Sequence, residues 1–284
     1  MRRLTVLTAA ALAVACASRG AAPASTAPAS RPRAASAQPT TLRYATGAGR
    51  YRIEGLTHSE QEVMGNTTAF DLNTSVLVST ATSEEAGNLG LAITIDSIAL
   101  SGTAPNQDVP SFEAARGRTF RAVFTPAGRP VSVRSPDSTN AVFEQLARGF
   151  REFLPVLPPV AISAGATWSD TVNQTVPNPG GEGTTSVQSQ RQHRVVGWET
   201  RDGTQALHIA TTAALTMTGT GSVQGQPIEL SGTGTSATDH YVSAAGVYLG
   251  ATQSDSTNIT VNVLSVGITV PVRQRQRSTV TRLP

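Results

Sequence analysis

Apolar and polar residues alternate with a period of two along most of the chain, the signature of antiparallel strands with one sheltered face. Phe70, Leu72, Thr74, Val76 and Val78 share one face of such a run, and Leu207, Ile209, Thr211, Ala213, Leu215 and Met217 share one face of another. Further strand runs cover residues 50–53, 91–100, 118–124, 131–133, 185–196, 241–242, 247–251 and 259–272. Gly-rich or Asx-rich turns separate them, as at Glu85-Ala86-Gly87-Asn88, Pro126-Ala127-Gly128 and Arg201-Asp202-Gly203. Within 91–100 the apolar phase moves from Leu91, Ile93 and Ile95 to Ile98 and Leu100, which predicts a bulge or strong bend near Asp96.

One segment changes period. Val142, Phe143, Leu146, Phe150, Phe153 and Leu154 follow the three-and-four spacing of an apolar helical stripe. Ser135 suits an N-cap, Pro136 the first helical position, and Pro155 stops the run, so a helix is predicted over 136–154. Three of the seven Phe residues lie on its face, so it must pack on a sheet. The fold class is mainly β, an antiparallel sheet with one amphipathic helix. The flanking regions, 42–134 and 160–284, also share features. Leu91 through Ser101-Gly102-Thr103 ends like Leu207 through Thr218-Gly219-Thr220, and Phe124-Thr125-Pro126-Ala127-Gly128 is like Val242-Ser243-Ala244-Ala245-Gly246. Near-constant spacing between these matches suggests two similar β halves joined by the helix.

The N-terminus follows other rules. Met1-Arg2-Arg3 precedes an apolar run over 4–15, far shorter than the roughly 20 residues a spanning helix needs, so it reads as a signal peptide. Leu12-Ala13-Val14-Ala15-Cys16 resembles the lipobox of bacterial lipoproteins, with Leu12 one place further from the Cys than in the usual pattern. Plain signal-peptidase cleavage after Ala13 or Ala15 is the alternative. Cys16 is the sole cysteine, which excludes an internal disulfide and any multi-thiolate metal site. The resemblance makes Cys16 the lipid-attachment residue and the membrane a partner through that lipid. Ala17, where inner-membrane retention would have Asp, implies the periplasmic face of the outer membrane. From Cys16 to residue 41 the chain is almost only Ala, Ser, Pro, Thr and Arg, a composition that buries too little surface to offset its ordering entropy and reads as a spacer.

Charge adds little. Every basic residue is Arg, and removing Arg2 and Arg3 takes the balance from +3 (22 minus 19) to +1 (20 minus 19). The only basic clusters, Arg116, Arg118 and Arg121 and then Arg273, Arg275 and Arg277, alternate along strands as solvated faces, which argues against nucleic-acid binding.

Candidate chemistry is sparse. His58, Glu60 and Glu62 would share one strand face and form an acid-rich edge, read as solvated rather than metal-binding. His208 falls on the polar side of its strand, and His193 and His240 read as strand residues. No Gly-x-Ser-x-Gly elbow is present, and Gly219-Thr220-Gly221 and Gly232-Thr233-Gly234 read as turns. Trp168 and Trp198, the only indoles, suit core or sheet-edge packing. Catalytic residues, metal ligands and cofactors are therefore all expected to be none.

A signal peptide, a lipidated Cys, a linker and a long antiparallel sheet interrupted by a helix and a proline loop together resemble the periplasmic lipoprotein carriers of the LolA and LppX type. That resemblance covers about 42–284 and is architectural. It implies a large curved sheet or incomplete barrel that encloses an apolar cavity, although this chain has one evident helix where the carriers have several. Leu157-Pro158-Pro159-Val160 and Gly165-Ala166-Thr167-Trp168-Ser169-Asp170 also resemble secreted bacterial domains of unknown function. Two functions follow as expectations. One is a non-enzymatic carrier of a lipid or other apolar ligand, in a cavity lined by Val142, Phe143, Leu146, Phe150, Phe153 and Leu154. The other is a structural or interaction lipoprotein with a filled core, whose envelope protein partners dock on strand edges.

Overall fold

A computed structural model describes residues 41–103, 112–177, 182–223 and 225–284. The signal peptide, Cys16 and the spacer as far as residue 40 lie outside the described residues. Eleven strands form one antiparallel sheet: β1 (Gly47–Val63), β2 (Asn66–Glu85), β3 (Asn88–Gly102), β4 (Thr119–Phe124), β5 (Pro130–Arg134), β6 (Thr167–Pro177), β7 (Glu182–Arg201), β8 (Thr204–Val223), β9 (Gln226–Ser243), β10 (Tyr248–Val263) and β11 (Ile268–Leu283). Their spatial order is β5-β4-β3-β2-β1-β11-β10-β9-β8-β7-β6. The chain thus starts mid-sheet, meanders to one edge, crosses to the other edge and meanders back until β11 pairs with β1. Ile53 faces Val280 at that seam. Strands β5 and β6 are the two edges, so the curved sheet is an incomplete barrel rather than a closed one.

Local sequence explains the hairpins. Met64-Gly65, Ala86-Gly87 and Asp202-Gly203 each place two consecutive residues at positive φ, between 47° and 78°, as a two-residue turn matched to strand twist requires. The phase shift near Asp96 is a bulge: Leu77 faces Ser97, Val78 faces Ile95, and Asp96 is skipped. Freed from the ladder, Asp96 accepts a hydrogen bond from Ser79 Oγ at 2.8 Å and lies 3.6 Å from Arg50 Nη2.

The two turns matched in the sequence are also matched in geometry. Thr125 N donates to Arg129 O and Ser243 N donates to Val247 O, each at 2.8 Å. The hydroxyls of Thr125 and Ser243 each accept the closing N–H at 3.0 Å. Residues 42–45 thread between the pair, with Tyr44 N donating to Pro126 O and Ala45 N to Gly246 O. The runs β1–β5 and β6–β10 cross the sheet in the same direction, and these turns occupy equivalent places in them.

The helix is shorter than its apolar pattern. It is α1 (Ala141–Phe150), with Asn140 as its N-cap, the Asn140 side chain accepting from Val142 N and Phe143 N. The predicted start at Ser135 fails because Asp137 Oδ1 takes Thr139 N and Thr139 Oγ1, at 2.9 and 2.7 Å, and folds 136–139 as a turn. Ser135 instead donates to Glu144. Phe153 and Leu154 lie beyond the helix, in the segment that leads to Pro155.

Candidate site: a polar band across the inner face

The face of the sheet that carries α1 is the inner face. Its register can be followed in rows from β1 to β6. One row runs Ile53, Val280, Ala251, His240, Ile209 and Val195. The next runs Gly55, Ser278, Gln253, Thr238, Thr211, His193 and Trp168. A third runs Thr57, Gln276, Asp255, Ser236, Ala213, Arg191 and Asp170. The second and third rows are a polar band. On its α1 side lies the main core, which includes Ile53, Val76, Val78, Phe120, Leu207 and Ile209. On its far side Ile228, Ile259, Val261 and Val263 form a second apolar cluster, with Met217, Leu230, Val270 and Val272 packed against it. Small residues carry the inner face of β9 here: a Cβ on Gly232 would meet Met217 Cγ at 3.0 Å, so Met217 lies across that position.

The β6 end of the band is charged and tightly bonded. Arg191 grips Asp170 with two parallel hydrogen bonds, Nε to Oδ1 at 2.7 Å and Nη2 to Oδ2 at 3.1 Å. Its Nη1 reaches Glu152 Oε1 at 3.4 Å, so the segment after α1 is tied to the sheet. Burial raises the Asp170 carboxyl, but its hydrogen bond and charge pairing with Arg191, aided by His193, outweigh this and hold it below the ordinary value. His193 is 4% exposed, shares Nδ1 with Thr211 Oγ1 at 2.9 Å and stacks on Trp168 with ring centroids 5.1 Å apart. Its Nε2 lies 3.4 Å from Asp170 Oδ1 without forming a hydrogen bond. Burial lowers the His193 pKa despite the neighbouring Asp170. Burial also pushes His240 down to about 3, so both rings are neutral near pH 7. At mid-sheet, burial raises the pKa of Asp255, while Gln253 Nε2 donates to both of its oxygens at 3.0 and 2.8 Å.

The residues expected to line an apolar cavity are themselves packing material. Phe143, Leu146, Phe150, Phe153 and Leu154 are all buried in the main core, and Val142 packs against it. Phe120 of β4 meets Phe143 and Phe150 edge-on at 6.2 and 5.2 Å between centroids, while Phe153 meets Tyr51 and Tyr248 at 5.3 and 5.6 Å. Pockets of about 430 and 530 Å³ are lined instead by outer-face residues of β7–β9 such as Thr184, Thr218 and Glu229, and by 133–138 with Glu144.

Sequence reasoning missed the band because His193 and His240 sit in strands whose two faces are both polar; only the matching alternation of Arg191, His193 and Val195 hinted at it. Trp198 pairs with Leu207 and packs against the main core, whereas His58, Glu60, Glu62 and His208 lie on the outer face. His58 Nδ1 is 2.7 Å from Asp71 Oδ1 and its Nε2 is 3.2 Å from Glu60 Oε1, and these two hydrogen bonds raise its pKa. Among the described residues no group of three His, Cys, Asp or Glu is arranged to hold a metal. Arg50, Arg52, Glu54, Arg273, Arg275 and Arg277 are exposed on the same face of β1 and β11. Such a charged surface is unsuited to hydrocarbon, where each Arg near the midplane costs about 2–4 kcal/mol.

Among the described residues, fold and site together define an open eleven-stranded antiparallel sheet, with one α-helix on its inner face and a polar band between two apolar clusters. No protein-family model matches the chain, and no curated protein matches it in sequence. Among solved structures it is similar to OccK2 (OpdF) of Pseudomonas aeruginosa in complex with glucuronate, at 8% identity, over 84% of this chain and 98% of that one, with a TM-score of 0.25. A DUF1329 family protein from Desulfovibrio piger matches at 9% identity over 80% and 84% of the two chains, with a TM-score of 0.16. OmpT, an outer membrane protein of Vibrio cholerae, in a loop-deletion form, matches at 6% identity over 83% and 99%, with a TM-score of 0.19. Overlaps this low transfer neither fold nor function.

Proposed function

We propose that this chain is a non-enzymatic cell-envelope lipoprotein, anchored through Cys16 at the periplasmic face of the outer membrane, that carries a lipid or other apolar ligand on the inner face of its sheet. The observation that carries the reading is the second apolar cluster on that face. Met217, Leu230, Val270 and Val272 remain only partly buried around it, and among the described residues the one α-helix packs in the other cluster. The ligand surface therefore shifts from beneath α1 to the stretch beyond it. The charged outer face supports the same reading, because it suits water and leaves the inner face for apolar contact.

Two measurements test it. Native mass spectrometry of the full chain extracted from host membranes is expected to show a co-purified apolar ligand, and a ligand-free mass would overturn carriage. Replacing Cys16 with Ser is expected to move the protein from the membrane to the soluble fraction; an unchanged membrane fraction would overturn the anchor. The aromatic packing of Phe120 against Phe143 and Phe150 favours a second reading, a filled-core interaction lipoprotein that receives an envelope protein partner on edge β5 or β6 by strand addition.

A further inference from the structure

The outer face of the sheet changes character along its rows. Arg273 faces Glu60 and Arg275 faces His58 between β11 and β1. On their other side the same two rows continue to Asn258 and Ser256 of β10, and from there to β6 they hold no ionisable residue. The first of them reads Asn258, Thr233, Thr216, Gln188 and Asn173. Four successive rows, from the one that begins at Ser169 to the one that begins at Thr175, cross β6–β10 in this way and give twenty positions. Eighteen are Ser, Thr, Asn or Gln, the other two are Ala214 and Ala237, and all but the half-buried Thr260 are exposed. A soluble surface is typically about 25–35% charged, which would place about five to seven ionisable residues among that many positions.

We propose that this array is a docking surface for an extended, uncharged polysaccharide chain. Its positions are direct neighbours, about 4.8 Å apart across the strands and about 6.8 Å along them, so the array measures roughly 19 by 20 Å. A depression of about 430 Å³ opens into it, lined by Ser186, Thr218 and Ser231 of the array and by Thr184, Glu229 and Asn262 beyond it. The side chains select the partner. A nucleic acid or an anionic lipid surface finds no cation on the array, and a basic partner finds no carboxylate. With Ala as its most apolar residue, the array offers a bilayer or an apolar protein face little area to bury. Hydroxyl and amide groups both donate and accept, which matches a partner whose own surface is made of hydroxyls. No aromatic ring lies in the array, so each sugar is held by hydrogen bonds alone and affinity has to build up along the chain. The surface lies on the opposite face from the ligand surface proposed above and stands independently of it.

The test sediments the full chain carrying Cys16→Ser with cellulose, chitin or insoluble starch. Retention on at least one of the three is expected, and it should hold from about 0.05 to 1 M NaCl because no charge takes part. Thr216→Arg, at the centre of the array, is expected to weaken retention about 10-fold or more, since it sets an unpaired charge against the sugar. Glu62→Arg, on the charged part of the outer face, should leave retention unchanged. Gln188→Arg repeats the array test on the next strand, and melting temperatures show that each variant is folded. The disaccharide of the polymer that binds is expected to bind at least about 100-fold more weakly than the polymer. Retention on none of the three, retention that salt abolishes, retention indifferent to both array variants, or equal loss in Glu62→Arg would overturn the proposal and leave the array a solvated surface. A disaccharide that binds as tightly as the polymer would overturn the extended surface in favour of the depression alone. None of these results touches the carrier reading.

Discussion

Tyr44 Oη donates a buried hydrogen bond of 2.8 Å to the carbonyl oxygen of Pro155, 111 residues away. The contact ties the segment entering β1 to the segment that crosses from one sheet edge to the other. Burial, with a smaller contribution from Tyr51, raises the Tyr44 phenol well above its ordinary pKa, so it stays a neutral donor. Tyr44→Phe keeps the ring but orphans the carbonyl. A loss of about 1–3 kcal/mol is expected in urea unfolding, with the slope unchanged.

The aromatic contacts under α1 make a sharper demand. Phe150 is 3% exposed and packs on Phe120, which is fully buried. Phe150→Ala should cost about 3–5 kcal/mol, as truncation in a filled core does. A cost below about 1 kcal/mol would point to space beneath the helix and restore the cavity that the apolar stripe suggested.

Gly246 and Gly203 separate steric from conformational cost. Both have positive φ, 77° and 75°. A Cβ on Gly246 would sit 2.0 Å from Arg43 O, whereas nothing lies within 4 Å of one on Gly203. Gly203→Ala should therefore lose only the left-handed backbone preference, about 1–2 kcal/mol. Gly246→Ala should lose more and should raise hydrogen exchange at the amides of Tyr44 and Ala45, whose bonds reach the two matched turns.

His240 gives a pH dependence with a definite sign. Its folded pKa, pushed down to about 3 by burial and by the charges of His193, Arg191 and His208, lies below the unfolded value near 6.5. The unfolded chain then binds the extra proton, so stability rises with pH across that interval. The contribution of His240 should be complete above about pH 6.5 and should fall away as the pH drops toward 3. His193, also lowered, acts in the same direction. Unfolding free energy measured from pH 7 to pH 4 should flatten in His240→Phe; an unchanged slope would remove His240 as its source.

Much of this molecule was legible in its sequence. Period-two alternation marks a strand wherever one face is apolar, which is why Leu207, Ile209 and Leu215 declared both the strand and its inner face. The phase slip from Ile95 to Ile98 announced the bulge at Asp96, because an extra residue must flip the alternation. The polar band was not legible. From residue 186 to 194 both faces of β7 are almost wholly polar, so alternation carries no sign of which one is inward. The Asp170–Arg191 pair depends on a register set by two hairpin strands, and the row that joins Ser278 to His193 depends on four successive hairpin registers.

The sequence by itself determined the strands with one apolar face, the turns at Gly87 and Gly203 and the existence of one amphipathic helix, since each follows from local periodicity and backbone preference. The strand β6 and most of β9 carried no such mark, and Gly219-Thr220-Gly221 and Gly232-Thr233-Gly234, read as turns, lie inside β8 and β9. Local bonding also sets the start of the helix at Ala141, through the turn made by Asp137 and Thr139 and the N-cap Asn140, whereas the tertiary structure decided what the helix packs on. It alone decided that Phe120 reaches across from β4 to fill the space under Phe143 and Phe150. It also decided that Trp168, His193, His240 and Ser278 share one sheltered face. Those outcomes rest on register and packing between distant segments, and neither quantity is encoded in the period of any single stretch of chain.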